Sequence, residues 1–223
     1  FDGVLASSDN LDAGFRPAGS PGVETGKAEY VSGGYFQVLG MGAAAGRLLT
    51  PSDDAAGAPP AVVLSYRYWQ QRFHRDPQVI GRPFSVNTSS LVIVGVAESG
   101  FGGLFNGDEP DVFLPLAMYP LTNSGAAQDW NSAHNPWLTC VARMKPGVSI
   151  QQAQAAMRIL WLQAVERVNS RAVKAAASAH LIPKDEAQLA PAARAPLFIR
   201  NQKFQNPLRA LVAVTVLVLL LTC

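Results

Sequence analysis

Tyr30-Val31-Ser32-Gly33-Gly34-Tyr35-Phe36-Gln37-Val38-Leu39-Gly40, running on into Gly46-Arg47-Leu48-Leu49-Thr50-Pro51, is the stretch around which this sequence is organised. A polar residue ahead of an aromatic pair and a closing glycine reads as a short helix. Ser32 is placed to cap it, its hydroxyl accepting from a free N–H of the first turn. Tyr35, Phe36 and Leu39 then share one face, and Gly40 supplies a left-handed stop. Core packing and capping account for all these residue types, and none of them requires a catalytic role.

Upstream, residues 1–29 read as extended segments joined by a loop. Leu11 to Gly26 is rich in small and turn-forming residues, with Pro17-Ala18-Gly19-Ser20-Pro21-Gly22 at its centre. Lys27 to Val31 forms the strand that feeds the helix. Downstream, Thr50-Pro51-Ser52-Asp53-Asp54 reads as a capped, solvated turn; two adjacent acids lack the ligand spacing of a metal loop. Ala61-Val62-Val63-Leu64 is a buried strand. Ser65 caps a helix whose core stripe is Tyr66, Trp69 and Phe73, with Arg67, Tyr68 and Arg72 facing away. Asp76-Pro77 ends that unit. Alternation from Phe84 through the polar turn Thr88-Ser89-Ser90 to Val96 predicts a β-hairpin.

Gly100-Phe101-Gly102-Gly103-Leu104-Phe105-Asn106-Gly107 reads as a mobile glycine-rich loop. It lacks the Gly-Lys-Ser/Thr ending of a phosphate loop. Asp108, Glu109 and Asp111 around Pro110 read as loop solvation. Asp111 to Leu116 is a strand ended by proline, and residues 117–135 a polar loop carrying Trp130 and His134. Trp137 to Met144 is a further strand, closed by Lys145-Pro146-Gly147. Ser149 and Gln152 stand at capping-box spacing ahead of the clearest helix. Its apolar seam is Ala153, Met157, Leu160, Ala164 and Val168, and alanine propensity carries it to about Ser178. Leu181-Ile182-Pro183 is a candidate last strand, and Pro191 to Pro207 a linker.

The chain's 223 residues can bury a substantial core. Eighteen basic and sixteen acidic side chains leave a net charge of +2, scattered along the chain, which excludes a nucleic-acid surface. Two cysteines cannot build a disulfide scaffold; Cys140 and Cys223 both sit in apolar runs and read as buried or membrane-embedded thiols. After Arg209 the run Ala210 to Cys223 contains no charge, Gly or Pro. It is apolar all round yet shorter than the ~20 residues of a spanning helix, so the expectation is a transmembrane helix cut short.

Catalytic motifs are absent. His74, His134 and His180 have no metal spacing, and no Gly-x-Ser-x-Gly elbow occurs. The carboxylates fall mostly in turns, and nothing beside Cys140 would lower its pKa. No catalytic, cofactor-binding or metal residue is assigned, no cofactor is implied, and the expectation is a protein that is not an enzyme.

The ordered set Val31 to Gly40, Gly46-Arg47, Ser65-Tyr66 with Trp69 and Phe73, Asp76-Pro77, Ile80-Gly81 and Val92 to Val96 resembles the periplasmic core domain of MacB-like ABC transporter permeases. Leu114-Pro115-Leu116, Lys145 to Ser149 and the apolar tail are similar to the same proteins entering an FtsX-like permease helix. Leu220-Leu221-Thr222-Cys223 is similar to the duplicated orphan permease branch.

The resemblance implies an α+β fold, a mixed α/β porter-like part with a small β-rich inserted subdomain, ending at the start of a transmembrane helix. Residues 1–200 would be the core domain without its N-terminal edge, 201–207 a linker and 208–223 the truncated membrane helix. It further implies a domain facing the periplasm from the bacterial inner membrane. There it would couple ATP-driven helix movement to export or handling of a periplasmic substrate. The implied partners are the membrane, a separate cytoplasmic ABC ATPase, a periplasmic adaptor or partner protein, and a second copy in a homodimer. The alternative role is a membrane-anchored regulatory module that recruits or activates a periplasmic partner without transporting substrate.

Overall fold

A computed structural model describes residues 1–104, 109–126 and 137–175, with the side chains of the last helix described through Glu166. The elements in chain order are β1 (Gly3–Ser8), β2 (Leu11–Pro17), β3 (Glu24–Val31), α1 (Tyr35–Leu39), β4 (Ala43–Gly46) and β5 (Ala61–Leu64). Next come α2 (Tyr66–Phe73), β6 (Pro83–Val86), β7 (Ser89–Ala97), β8 (Val112–Pro115), α3 (Tyr119–Thr122), β9 (Leu138–Arg143) and α4 (Ile150–Ala175). This is a mixed fold of sheet and helices, as expected from the resemblance.

Six strands close on themselves. The path β2–β6–β7–β5–β8–β3 returns to β2, because Leu11 to Phe15 pair with Glu24 to Ala28 while Phe15 to Pro17 pair with Phe84 to Val86. Alternation then sends one set of side chains inward. Ala13 and Phe15, Ala28 and Tyr30, Val62 and Leu64, Phe84 and Val86, Leu91 and Ile93, Val112 and Leu114 all join one buried cluster. Tyr68 and Trp69 of α2 add to it near the start of β3, and Met118 of the turn before α3 adds to it near the end. The opposite faces of β3, β5 and β8 carry Val31, Ala61, Val63 and Phe113 into a second cluster with Leu5, Tyr35 and Phe36. These strands are covered on both sides, which is why Ala61 to Leu64 reads as an unbroken apolar run.

A two-stranded strip is attached to this ring. All six residues of β1 pair antiparallel with β9, Gly3 opposite Arg143 through Ser8 opposite Leu138. β1 meets the ring at Ser7 opposite Val31. After β9 the chain turns through Lys145-Pro146-Gly147 into α4, where Ser149 and Gln152 form the predicted reciprocal cap. Ser149 N–H donates to Gln152 Oε1 at 2.9 Å, and Gln152 N–H donates to Ser149 Oγ at 3.2 Å.

Several expectations are corrected. Much of the Leu11 to Gly26 loop is strand β2, since its small residues allow close pairing on both edges. Tyr68 does not face away from the core that Trp69 enters: it is buried against Phe15 and Phe84, its hydroxyl donating to Glu24. Arg72 completes that contact, its Nε donating to Glu24 at 2.9 Å. The predicted polar loop begins with helical turns from Leu116 to Thr122, where Tyr30 and Thr122 share a hydroxyl bond of 2.7 Å. On α4 the buried positions are Ala153 and Val165, with Met157 and Trp161 half-buried, while Leu160 and Ala164 are exposed. The seam follows a spacing of four residues and drifts off the predicted line. Cys140 is exposed, because its side of the β1–β9 strip is open. Trp130, His134, His180, the strand at Leu181, the linker and the terminal apolar run lie outside the described residues. Among the described residues no helix is long and apolar enough to cross a membrane.

Candidate functional site

The site begins at Ser32. α1 starts at Tyr35 with Gly34 at its cap position and no side-chain cap bond, so Ser32 does not cap the helix. Its hydroxyl instead accepts the Ala6 N–H of β1 at 2.9 Å, and its own N–H donates to the Ala6 carbonyl at 2.8 Å. One residue therefore extends the pairing of β1 onto the ring beyond the end of β3. Ser8 Oγ adds a further link by accepting the Tyr30 N–H at 2.9 Å. The predicted stop is present: Gly40 closes α1 at φ 73°, and Tyr35 and Phe36 are buried.

Beneath this clasp lies Glu29, fully buried on β3. It shares a strand face with Val31. Its Oε1 accepts from the Ser7 hydroxyl of β1 and from the Tyr35 hydroxyl of α1, the latter at 2.8 Å. Burial pushes its carboxyl up to about 7, against the lowering pull of the Ser7 and Tyr35 hydroxyls and the nearby Leu104 N–H. Oε2 stands without a hydrogen-bond partner among the described residues. Burial, then the adjacent Glu29 charge, holds the Tyr35 phenol well above its ordinary value.

A second group of contacts braces the clasp from the other side. Asp53 is a buried ion-pair partner: Arg47 Nη1 and Nη2 donate to its carboxylate at 2.7 and 2.8 Å. This overturns the solvated-turn expectation. Asp53 also accepts the Thr50 N–H and hydroxyl, both at 2.8 Å, closing the capping box of the Pro51–Asp54 turn. Asp54 accepts the Gly33 N–H at 3.3 Å and the Ala117 N–H at 2.8 Å. Glu109 and Asp111 are likewise paired, with Arg67 at 3.3 and 2.6 Å. Each acid sits where strand ends bring a cation or free N–H groups within reach, and sequence spacing carries no record of that.

Ser7, Glu29 and Tyr35 are buried beside the cluster of Leu5, Val31, Phe36 and Phe113. Among the described residues no group of His, Cys, Asp and Glu could hold a metal ion. β9 leads into α4, β1 holds β9 along its whole length, and Ser32, Ser8, Ser7 and Arg143 tie that strip to the ring and α1. Arg143 does so by donating to the Val38 carbonyl. Sequence reasoning missed Glu29 and Ser7. The available signal was a lone acid on the same strand face as Val31.

The family model of MacB-like periplasmic core domains matches residues 5–160. Among solved structures, the chain is similar to the periplasmic region of MacB from Actinobacillus actinomycetemcomitans. The two are 14% identical, with 78% of this chain and 77% of that chain covered and a TM-score of 0.55. It is also similar to a domain described as that of a permease from Porphyromonas gingivalis. There the identity is 16%, the coverage 74% and 69%, and the TM-score 0.52. At these identities the likeness is one of fold. No curated protein matches the sequence.

Proposed function

We propose that this chain, which belongs to the family of MacB-like periplasmic core domains, couples ATP-driven movement of membrane helices to work on a periplasmic substrate. In this reading it is the outer domain of an inner-membrane permease, and ATP is hydrolysed by a separate cytoplasmic ATPase. A periplasmic adaptor and a second copy of the permease complete the assembly. The chain itself performs no chemistry.

The observation that carries the reading is the continuous connection from α4 to the ring. A capped helix of 26 residues follows directly from β9. β9 is paired with β1 at six positions, and β1 is pinned at Ser7 and by Ser32. A helix transmits displacement along its axis because its backbone bonds are local and aligned. A strand pair resists sliding because every bond in its ladder must shift together. Movement applied to α4 would therefore reach the ring through β9 and β1.

A flexible Gly-Ser segment inserted after Pro207 tests this. Transport by the full-length permease should be lost while the domain stays folded by circular dichroism and ATPase activity persists. Unchanged transport would overturn the coupling role. No transport by the unaltered full-length protein, together with loss of periplasmic-partner binding on the insertion, would favour the regulatory role.

A further inference from the structure

We propose that the segment Gly100–Leu104 is a pH-gated cover, seated over the Glu29 carboxyl while that group is protonated and lifted when it ionises. Four elements meet at Glu29. β1 offers the Ser7 hydroxyl, α1 the Tyr35 hydroxyl, β8 the Phe113 ring beside it, and the covering segment its backbone at Gly103 and Leu104. Both hydroxyls go to Oε1. Oε2 faces the segment with no partner.

The fit there is close. Gly103 lies at φ 83°, and a Cβ on it would stand 2.5 Å from Glu29 Oε2, so only glycine lets the backbone approach this carboxyl. Side chains do most of the seating. Phe101 stacks on Phe113 at 5.6 Å between ring centroids and meets Phe36 at 5.8 Å, while Leu104 is buried. The Phe101 N–H reaches Glu98 O at a long 3.4 Å.

The charge balance sets the direction of the switch. Among the described residues no Lys, Arg or His faces Glu29 from β1, α1, β8 or the segment, and no charged neighbour is among the causes of its raised value. Among the described residues, the one other titratable group in contact, Tyr35, stays neutral throughout the accessible range. A neutral carboxyl can remain under the cover. An ionised one, with no cation beside it, requires water or further donors. The ring strands and β1 are held by ladders, whereas the segment is held by packing, so it is the element that yields. Its outer side forms a groove with Tyr66, Arg67, Gln70 and Gln71 of α2, and lifting reshapes that surface.

Hydrogen exchange by mass spectrometry, corrected for the intrinsic pH dependence, tests the proposal on the 223-residue chain in mild detergent. Protection across residues 99–104 should fall about tenfold between pH 6 and pH 8, following the ionised fraction of a group titrating near 7. The carboxyl ¹³C signal of Glu29 should change over the same range. In Glu29→Gln the step should vanish with protection kept at the level of pH 6. The same pH step in Glu29→Gln, or a Glu29 midpoint near 4.5, overturns the proposal. Should Glu29→Gln not fold, Gly103→Ala serves: its side chain forces the cover off Oε2, so exchange should be fast at both pH values. A retained pH step in that variant overturns the proposal equally.

Discussion

Arg47 and Asp53 form a two-pronged ion pair across a six-residue span, with Nη1 to Oδ2 at 2.7 Å and Nη2 to Oδ1 at 2.8 Å. The pair is asymmetric: the Asp53 side chain is 7% exposed and the Arg47 side chain 52%. The carboxylate is therefore the member whose burial must be compensated, while solvent screens the guanidinium.

Arg47, opposed in part by burial and aided by the Thr50 bonds, holds the Asp53 carboxyl below its ordinary 3.8. A lowered folded value contributes stability that is present above the unfolded value and lost as pH falls through the folded one. Asp53→Asn should lower stability by roughly 1–3 kcal/mol at pH 7, the worth of a charge-assisted bond. The difference from the unaltered chain should shrink below pH 4. Urea titrations at pH 3 to 7 measure both effects.

Glu29 acts with the opposite sign. Its folded value of about 7 lies above the ordinary 4.5, so the folded state holds the proton more tightly. The contribution to stability is full below 4.5 and is lost as pH rises through 7. The loss across that window is on the order of 3 kcal/mol. Glu29→Gln should flatten this part of the profile and be more stable than the unaltered chain at pH 8. Urea midpoints between pH 4 and 8.5 provide the check.

Ser32→Ala separates a clasp from a cap. Removing the hydroxyl leaves the Ala6 N–H without its acceptor, at a cost of about 1–3 kcal/mol. Faster amide exchange should appear at Ala6 and along β1, while α1 should be unaffected because its cap position is Gly34. Loss of protection confined to Tyr35–Leu39 would restore the capping role.

The register of α4 yields a contrast between neighbouring substitutions. Val165 is buried, and Val165→Ala should lower stability by roughly 2 kcal/mol through lost apolar contact. Leu160 is 62% exposed, and Leu160→Ala should change stability by less than about 0.5 kcal/mol. Thermal melts of the two variants are sufficient.

Element types were legible wherever periodicity is local. The strand at Ala61 to Leu64, the Ser65 cap accepting the Tyr68 N–H, the hairpin from Phe84, the αL stop at Gly40 and the Ser149–Gln152 box depend on neighbours a few residues apart. Tyr68 was misplaced because its partner Glu24 is 44 residues away. Leu160 was misplaced because four-residue spacing and a heptad-like line diverge over three turns. At Glu29 the alternating pattern places the side chain on one face without saying whether β1 or water covers it.

The stretch from Tyr30 to Gly40 shows the division most plainly. Its sequence alone determined a strand, a turn, a short aromatic helix and a glycine stop, because φ preferences and side-chain periodicity are properties of the local chain. It also carried the ordered residues by which the family is recognised. Tertiary structure decided what those residues hold: Ser32 pins β1, Gly33 meets Asp54 and Tyr35 bonds a buried carboxyl. A hydroxyl satisfies whichever donor the fold brings to it, and the docking of β1 against the end of β3 brought Ala6, not the helix terminus.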